Sequence, residues 1–175
     1  MKVFLDIECT NTRADIGQIV AIGIIKDDKK EVKFVDQIED ERDVLNWLKK
    51  ELEGCDLVVT WYGSEFDIPF LVTRALINNI NLSELMKIPS LDLCEFCKRN
   101  FLFSKNSLSE ISKSLKIPKD EEIGGKDVLD LYLKAIRGDK GAKEKIIKHC
   151  LDDLEVLEKI FKKFEPYLNL TTKNP

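Results

Sequence analysis

The chain has 175 residues, 43% hydrophobic and 34% charged, with a net charge of −4. That length suits one domain with a substantial core, and mixed charges among periodic apolar segments exclude a disordered chain. The negative balance excludes tight, charge-driven binding to long duplexes, but not an enzyme whose acidic pocket is offset by cations.

The opening stretch, Lys2 to Thr10, reads as a strand. Val3, Phe4, Leu5 and Ile7 form a nearly continuous apolar run, as in a strand buried on both faces. Asp6 and Glu8 interrupt it, and alternate residues of a strand share a face. Two readings fit them: solvated acids at a strand end, or ligands of a hard divalent cation such as Mg²⁺ or Mn²⁺.

Asn11 to Gly17 is polar and turn-like, and Gln18 to Lys26 is a second strand. Asp27 to Lys30 reads as a hairpin turn before a third, alternating strand, Glu31 to Gln37. Short connections make these three strands antiparallel. Asp40 to Glu53 has helical spacing, with Gly54 as its stop. Cys55 to Thr60 is a fourth strand, reached by a crossover that allows parallel pairing.

Asp67 to Asn79 is a helix with Pro69 in its first turn. Leu91 to Phe101 is read as helical. Ser107 to Leu115 is a helix opened by a capping box of Ser107 and Glu110. A loop around Ile117-Pro118 and Asp120-Glu121-Glu122 leads to Gly124-Gly125, a flexible joint. Helices over Lys126 to Arg137 and Lys140 to Phe164 follow, the last with an apolar stripe. The expected organisation is one α/β domain over residues 1–168 and a polar, frayed tail over 169–175.

The cysteines, Cys9, Cys55, Cys94, Cys97 and Cys150, are odd in number and dispersed. No apolar run approaches membrane-spanning length, and no signal segment precedes the first strand. A soluble, cytoplasmic protein with reduced thiols and no membrane partner is therefore expected. Cys94-x-x-Cys97 is half of a zinc site without a second half, and reads as two ordinary helix thiols.

Two further regions carry acids. In Thr60 to Leu71 a strand ends, a glycine loop turns, and Asp67 sits where a helix begins. Such loops line clefts at the carboxyl ends of α/β sheets. Asp67 serves equally well as an N-cap. Trp61, Tyr62 and Phe66 beside it suit either base stacking or the core, and for Phe66 and Phe70 the core is preferred. In the last helix, His149, the chain's one histidine, and Asp153 share a face at i,i+4 spacing. They form either an ordinary surface pair or a general base beside a carboxylate. Acids from three such places can converge on a pair of cations, which two-metal phosphodiester chemistry sets roughly 3.5–4 Å apart.

These stretches together resemble a family. Phe4-Leu5-Asp6-Ile7-Glu8-Cys9-Thr10 is similar to the first motif of the DEDD-type, DnaQ-like 3′–5′ exonucleases of the ribonuclease H-like superfamily. Gly63 to Leu71, with Arg74, is similar to the second motif, in the form found in family B polymerase proofreading domains and YprB-like stand-alone nucleases. His149-Cys150-Leu151-Asp152-Asp153 occupies the place of the third.

The resemblance implies a ribonuclease H-like fold: a mixed five-stranded sheet, its first three strands antiparallel, flanked by helices. It implies a 3′–5′ exonuclease acting on single-stranded DNA or RNA with two Mg²⁺ or Mn²⁺ ions. Asp6, Glu8, Asp67 and Asp153 would hold the metals and His149 would orient the attacking water. Thr10, Tyr62, Gly63 and Phe66 would hold the strand. A replication or repair protein is a candidate partner.

Two departures stand out. His149 has the four-residue spacing to the last Asp that the family uses with tyrosine, while histidine members use five. Tyr62 stands where relatives often carry asparagine. The competing expectation is a nuclease-fold module with weak catalysis that binds nucleic acid or a partner. Asp92, where relatives often carry an acid, reads as a helix N-terminal charge. Lys105, Lys113 and Lys116 read as a solvated face or as a basic edge to the cleft.

Overall fold

The computed structural model describes residues 1–120 and 123–171, with only the backbone at 125, 126 and 169–171. The sheet has five strands in the order β3-β2-β1-β4-β5. The strands are β1 (Lys2–Cys9), β2 (Ile19–Lys26), β3 (Lys29–Phe34), β4 (Leu57–Thr60) and β5 (Ser90–Asp92). β1, β2 and β3 run antiparallel, while β4 and β5 join parallel to β1. The helices are α1 (Glu41–Glu51), α2 (Asp67–Ile77), α3 (Leu93–Asn100), α4 (Leu108–Ser114), α5 (Gly125–Ala135) and α6 (Lys140–Thr171). This is the ribonuclease H-like α/β fold expected from the motifs.

Local chemistry explains the elements. Asp27 and Asp28 both have positive φ, 49° and 62°, so the β2–β3 loop shrinks to two residues. Such a turn matches strand twist, and Asp tolerates that backbone region. Pairing therefore resumes at Lys29, earlier than the hairpin expected over Asp27–Lys30.

Alternation along β1 sorts its side chains between two layers. Val3, Leu5 and Ile7 pack with Leu45, Leu48 and Leu71 of α1 and α2. Phe4 packs with Leu154, Leu157 and Ile160 of α6, its ring 5.5 Å from that of Phe161. Asp6 and Glu8 continue this second face, so they point toward α6 by the same period of two that buries Phe4.

β1 pairs with β4 only over Lys2–Phe4. Beyond Phe4 it runs on alone on that side, leaving a crevice at the carboxyl ends of the parallel strands, where ligands of open α/β sheets bind.

Two expectations are corrected. Leu91–Phe101 is not one helix, because Ser90–Asp92 forms β5 against Val58–Thr60. The break falls at Asp92, extended at φ −87° and ψ 106°, whose carboxylate caps α3 by accepting from the amides of Cys94 and Glu95. The last helix does not stop at Phe164 but runs through Pro166 to Thr171, so the polar tail is helical up to there. Proline removes one backbone bond, and Phe164 and Tyr167 hold the segment through ring contacts to Phe101 at 4.9 and 5.4 Å. Residues 172–175 and Glu121-Glu122 of the acidic loop lie outside the described residues. Among the described residues, no helix is long and apolar enough to cross a membrane.

Candidate metal centre

Asp6 and Glu8 stand on the β1 face that α6 covers, and α6 is able to come close because β2 carries Gly23 opposite Asp6. A Cβ at Gly23 would lie 2.5 Å from Cys150 Sγ and 2.7 Å from Leu154 Cδ1. Real Cβ atoms do not tolerate such contacts, so the glycine sets how near α6 lies to β1. Cys150 hydrogen-bonds the Asp6 carboxyl. Asp6, Glu8 and Cys150 offer donor atoms within 4.8 Å of one another. From the position just before Cys150 on α6, His149 Nε2 lies 3.7 Å from Glu8 Oε1 and 3.9 Å from Asp153 Oδ2.

Asp67 is not the N-cap of α2. Phe66 takes that position without a side-chain bond, and Asp67 is the first helical residue. Its buried carboxylate is hydrogen-bonded by its own backbone amide and by that of Ile7, on the stretch of β1 that β4 has left.

The electrostatics follow from this crowding. Burial pushes the Asp6 carboxyl well up, and repulsion from Glu8, Asp67 and Asp153 adds to it. Burial, then Asp153 and Asp67, raises Glu8 to about 8, while Lys119 pulls the other way. Burial raises Asp67 to about 7 against its backbone hydrogen bonds. Carboxyls that hold protons near neutrality are acids short of positive charge. The donors are carboxylate oxygens, which match Mg²⁺ or Mn²⁺, and the unrelieved repulsion among them is what bound cations remove. The residues present therefore fit the metals that the motifs imply.

Of the other residues singled out in the sequence, Thr10 and Phe66 line a groove with Glu8, while Tyr62 and Gly63 lie on the loop between β4 and α2. Thr10 closes the loop after β1: its amide donates to Gln18 O, and its hydroxyl accepts from the Gln18 amide, both at 3.0 Å. Tyr62 has a φ of 62° and is 44% exposed, with the Lys98 ammonium 4.8 Å from its ring centre. Gly63 packs on Thr60, where a Cβ would fall 2.4 Å from that of Thr60. Phe66 is half-buried, 5.6 Å from Phe70. With Ile7, Glu8, Thr10 and Leu129 it lines a groove of about 720 Å³. His149 opens instead onto a cleft of about 960 Å³ beside α5. Cys94 and Cys97 are buried free thiols, as the helix reading expected.

Three residues have supporting roles that the sequence reading did not give. Asp92 is more than a helix-end charge. Its buried carboxylate accepts from the Tyr62 amide at 2.9 Å, the Ser64 amide at 3.1 Å and Ser64 Oγ at 2.6 Å, besides capping α3. It thereby fixes the loop that carries Tyr62 and Gly63. Arg74 grips the buried Glu41 through Nε at 2.8 Å and Nη2 at 2.6 Å, and donates to Ala14 O at 2.9 Å. Glu41 also accepts from the Ile19 amide at 2.8 Å, so this network braces the 11–17 loop against α1 and α2. Lys119 places its ammonium 2.7 Å from Asp153 Oδ1. Asp152, the neighbouring acid, points elsewhere and accepts from the Asp120 amide at 3.0 Å.

No curated protein matches the chain in sequence. Among solved structures it is similar to the family B DNA polymerase of the hyperthermophilic archaeon Pyrobaculum calidifontis, with a TM-score of 0.79 and 20% identity. The match covers 95% of this chain and 25% of that one, so the chain spans about a quarter of the polymerase. Residues 3–165 match the RNase_H superfamily, the family to which this chain belongs.

Proposed function

We propose that the protein is a DEDD-type, DnaQ-like exonuclease that removes nucleotides from the 3′ end of single-stranded nucleic acid. One observation carries this reading. At the carboxyl end of the sheet, the Asp6 and Glu8 carboxyls of β1 are raised in part by repulsion from Asp67 of α2 and Asp153 of α6, which supports one shared acidic centre.

Asp6, Glu8, Asp67 and Asp153 would hold two Mg²⁺ or Mn²⁺ ions, which when bound supply Lewis-acid activation of water and neutralise charge on the leaving oxygen. The chain's own groups do the rest. His149 Nε2, beside both Glu8 and Asp153, is placed to orient a water and take its proton. The 3.7 Å separation of His149 Nε2 from Glu8 Oε1 supports a water-orienting role for histidine at the tyrosine spacing.

Tyr62, Gly63, Phe66 and Thr10 surround the approach. The half-exposed Tyr62 and Phe66 rings offer faces for unpaired bases, and the absence of a Cβ at Gly63 lets the loop lie flat on Thr60. A single strand suits the chain's net charge of −4 better than a duplex held by many phosphate contacts. The substrate strand is DNA or RNA, and a replication or repair protein is a candidate partner.

A second reading is a nuclease-fold module with weak catalysis. It is favoured by the ion pair of Asp153 with Lys119, which engages one acid of the centre with an internal cation. Incubating end-labelled single-stranded DNA and RNA with Mg²⁺ or Mn²⁺, beside Asp6→Ala, tests both. Metal-dependent shortening that the substitution abolishes supports the nuclease. Strand binding without cleavage under either metal supports the module.

A further inference from the structure

Lys119 lies in the loop between α4 and α5, yet its side chain is only 7% exposed. Lysine is rarely buried unless paired. Here the partner is Asp153, whose Oδ1 stands 2.7 Å from Nζ without forming an aligned hydrogen bond. The contact is therefore chiefly an ion pair. The same ammonium also opposes the upward shift of Glu8. Lys148, on the adjoining cleft, is exposed and pairs with Asp120 at 2.6 Å.

The charges of the centre make this ammonium informative. Four carboxylates and two divalent cations cancel. One buried lysine then leaves a single positive charge, the complement of one phosphodiester group.

We propose that Lys119 is a built-in cation of the centre. It neutralises Asp153 before metal arrives, weakens metal loading, and leaves the loaded centre net positive to receive the phosphodiester. This rests on the metal-dependent nuclease reading above.

A merely structural lysine would act as a clamp that fixes the Asp153 carboxylate, and its loss would loosen metal. Repulsion between an ammonium and a divalent cation on the same acid exceeds the ordering gained from one clamp. Removing the charge is therefore expected to tighten metal binding.

The test compares Lys119→Met and Lys119→Arg with the unaltered protein. Mn²⁺ is titrated into protein alone, followed by exonuclease kinetics on a single-stranded oligonucleotide. Lys119→Met is expected to bind Mn²⁺ roughly tenfold more tightly and to raise the KM for the strand roughly tenfold, with a smaller change in kcat. Lys119→Arg, which keeps the charge, is expected to restore both. Should the Met variant fail to fold, Lys119→Gln against Lys119→Arg carries the same comparison.

Equal or weaker Mn²⁺ binding by a folded, uncharged variant overturns the proposal and leaves the nuclease reading intact. Tighter Mn²⁺ binding by the uncharged variant in a protein that cleaves no strand supports the weakened metal loading but overturns the nuclease reading and, with it, the phosphodiester-receiving role. A protein that takes no Mn²⁺ overturns both.

Discussion

Gly23→Ala tests whether close approach of α6 to β1 builds the centre. The added Cβ would stand 2.5 Å from Cys150 Sγ and 2.7 Å from Leu154 Cδ1. The Leu154 methyl is able to swing aside, but Cys150 is held between the sheet and its bond to Asp6. The helix has to retreat to restore ordinary contact, and overpacking of this kind costs about 2 kcal/mol. For a chain of this size that lowers Tm by roughly 4–8 °C. The retreat carries His149 and Asp153 away from Glu8. Misplacement of reacting groups by an ångström lowers rate about a hundredfold, so activity falls far more than stability does. The assay pairs a thermal melt with Mn²⁺ titration and strand degradation. Cys150→Ala in the same chain removes the closest clashing atom and is expected to recover part of both losses. Gly23→Ala with unchanged Tm, Mn²⁺ affinity and rate would refute the reasoning.

Other perturbations separate the supporting residues. Asp92→Ala strips the acceptor from the Tyr62 and Ser64 amides and from the α3 cap. It is expected to cost about 2 kcal/mol in urea unfolding and to raise KM more than it lowers kcat; an unchanged KM would detach Asp92 from the strand-holding loop. Arg74→Met leaves Glu41, whose side chain is 4% exposed, without its cation. A loss of about 3 kcal/mol is expected, and a loss near zero in urea unfolding would contradict the bracing role.

The metal-free protein should also lose stability as pH rises. Glu8 and Asp67 titrate near 8 and 7 when folded, against ordinary values of 4.5 and 3.8. The native state thus binds more protons between those limits, and stability is fully present below the lower pair and lost through the upper. Each differing group contributes a slope of about 1.4 kcal/mol per pH unit. Urea melts in EDTA across that window should show the fall, and saturating Mg²⁺ should flatten it; a rise with pH would contradict the buried, ion-starved centre.

Much of the fold was legible because it is written in local periods. The alternation in β1, the apolar run of β2 and the stripe along α6 each mark an element by spacing alone. That same alternation put Asp6 and Glu8 on one face. β5 was not legible because it is three residues long and runs directly into α3. Its evidence is parallel pairing with β4, which lies more than thirty positions earlier in the chain. The continuation of α6 past Pro166 rests on rings from the α3 end, again a distant contact.

At the site, the motif acids and His149 come together, but the groups that tune them were hidden. Cys150 is one of several apolar positions along α6, and nothing in the local sequence sets Lys119 apart. Gly23 had no local cause, since its reason is a sulfur atom on α6. Asp92 did carry a signal, an acid at a helix start. What that signal lacked was the loop thirty residues earlier whose amides it holds.

The most direct measurement follows one oligonucleotide labelled in turn at its 5′ and its 3′ end, incubated with Mg²⁺ or Mn²⁺. The account predicts a 5′-labelled ladder shortening one nucleotide at a time and immediate release of the 3′ label as a mononucleotide. Both should vanish with EDTA and in Asp6→Ala. Internal fragments as the first products, shortening from the 5′ end, or cleavage that survives loss of Asp6 would contradict it.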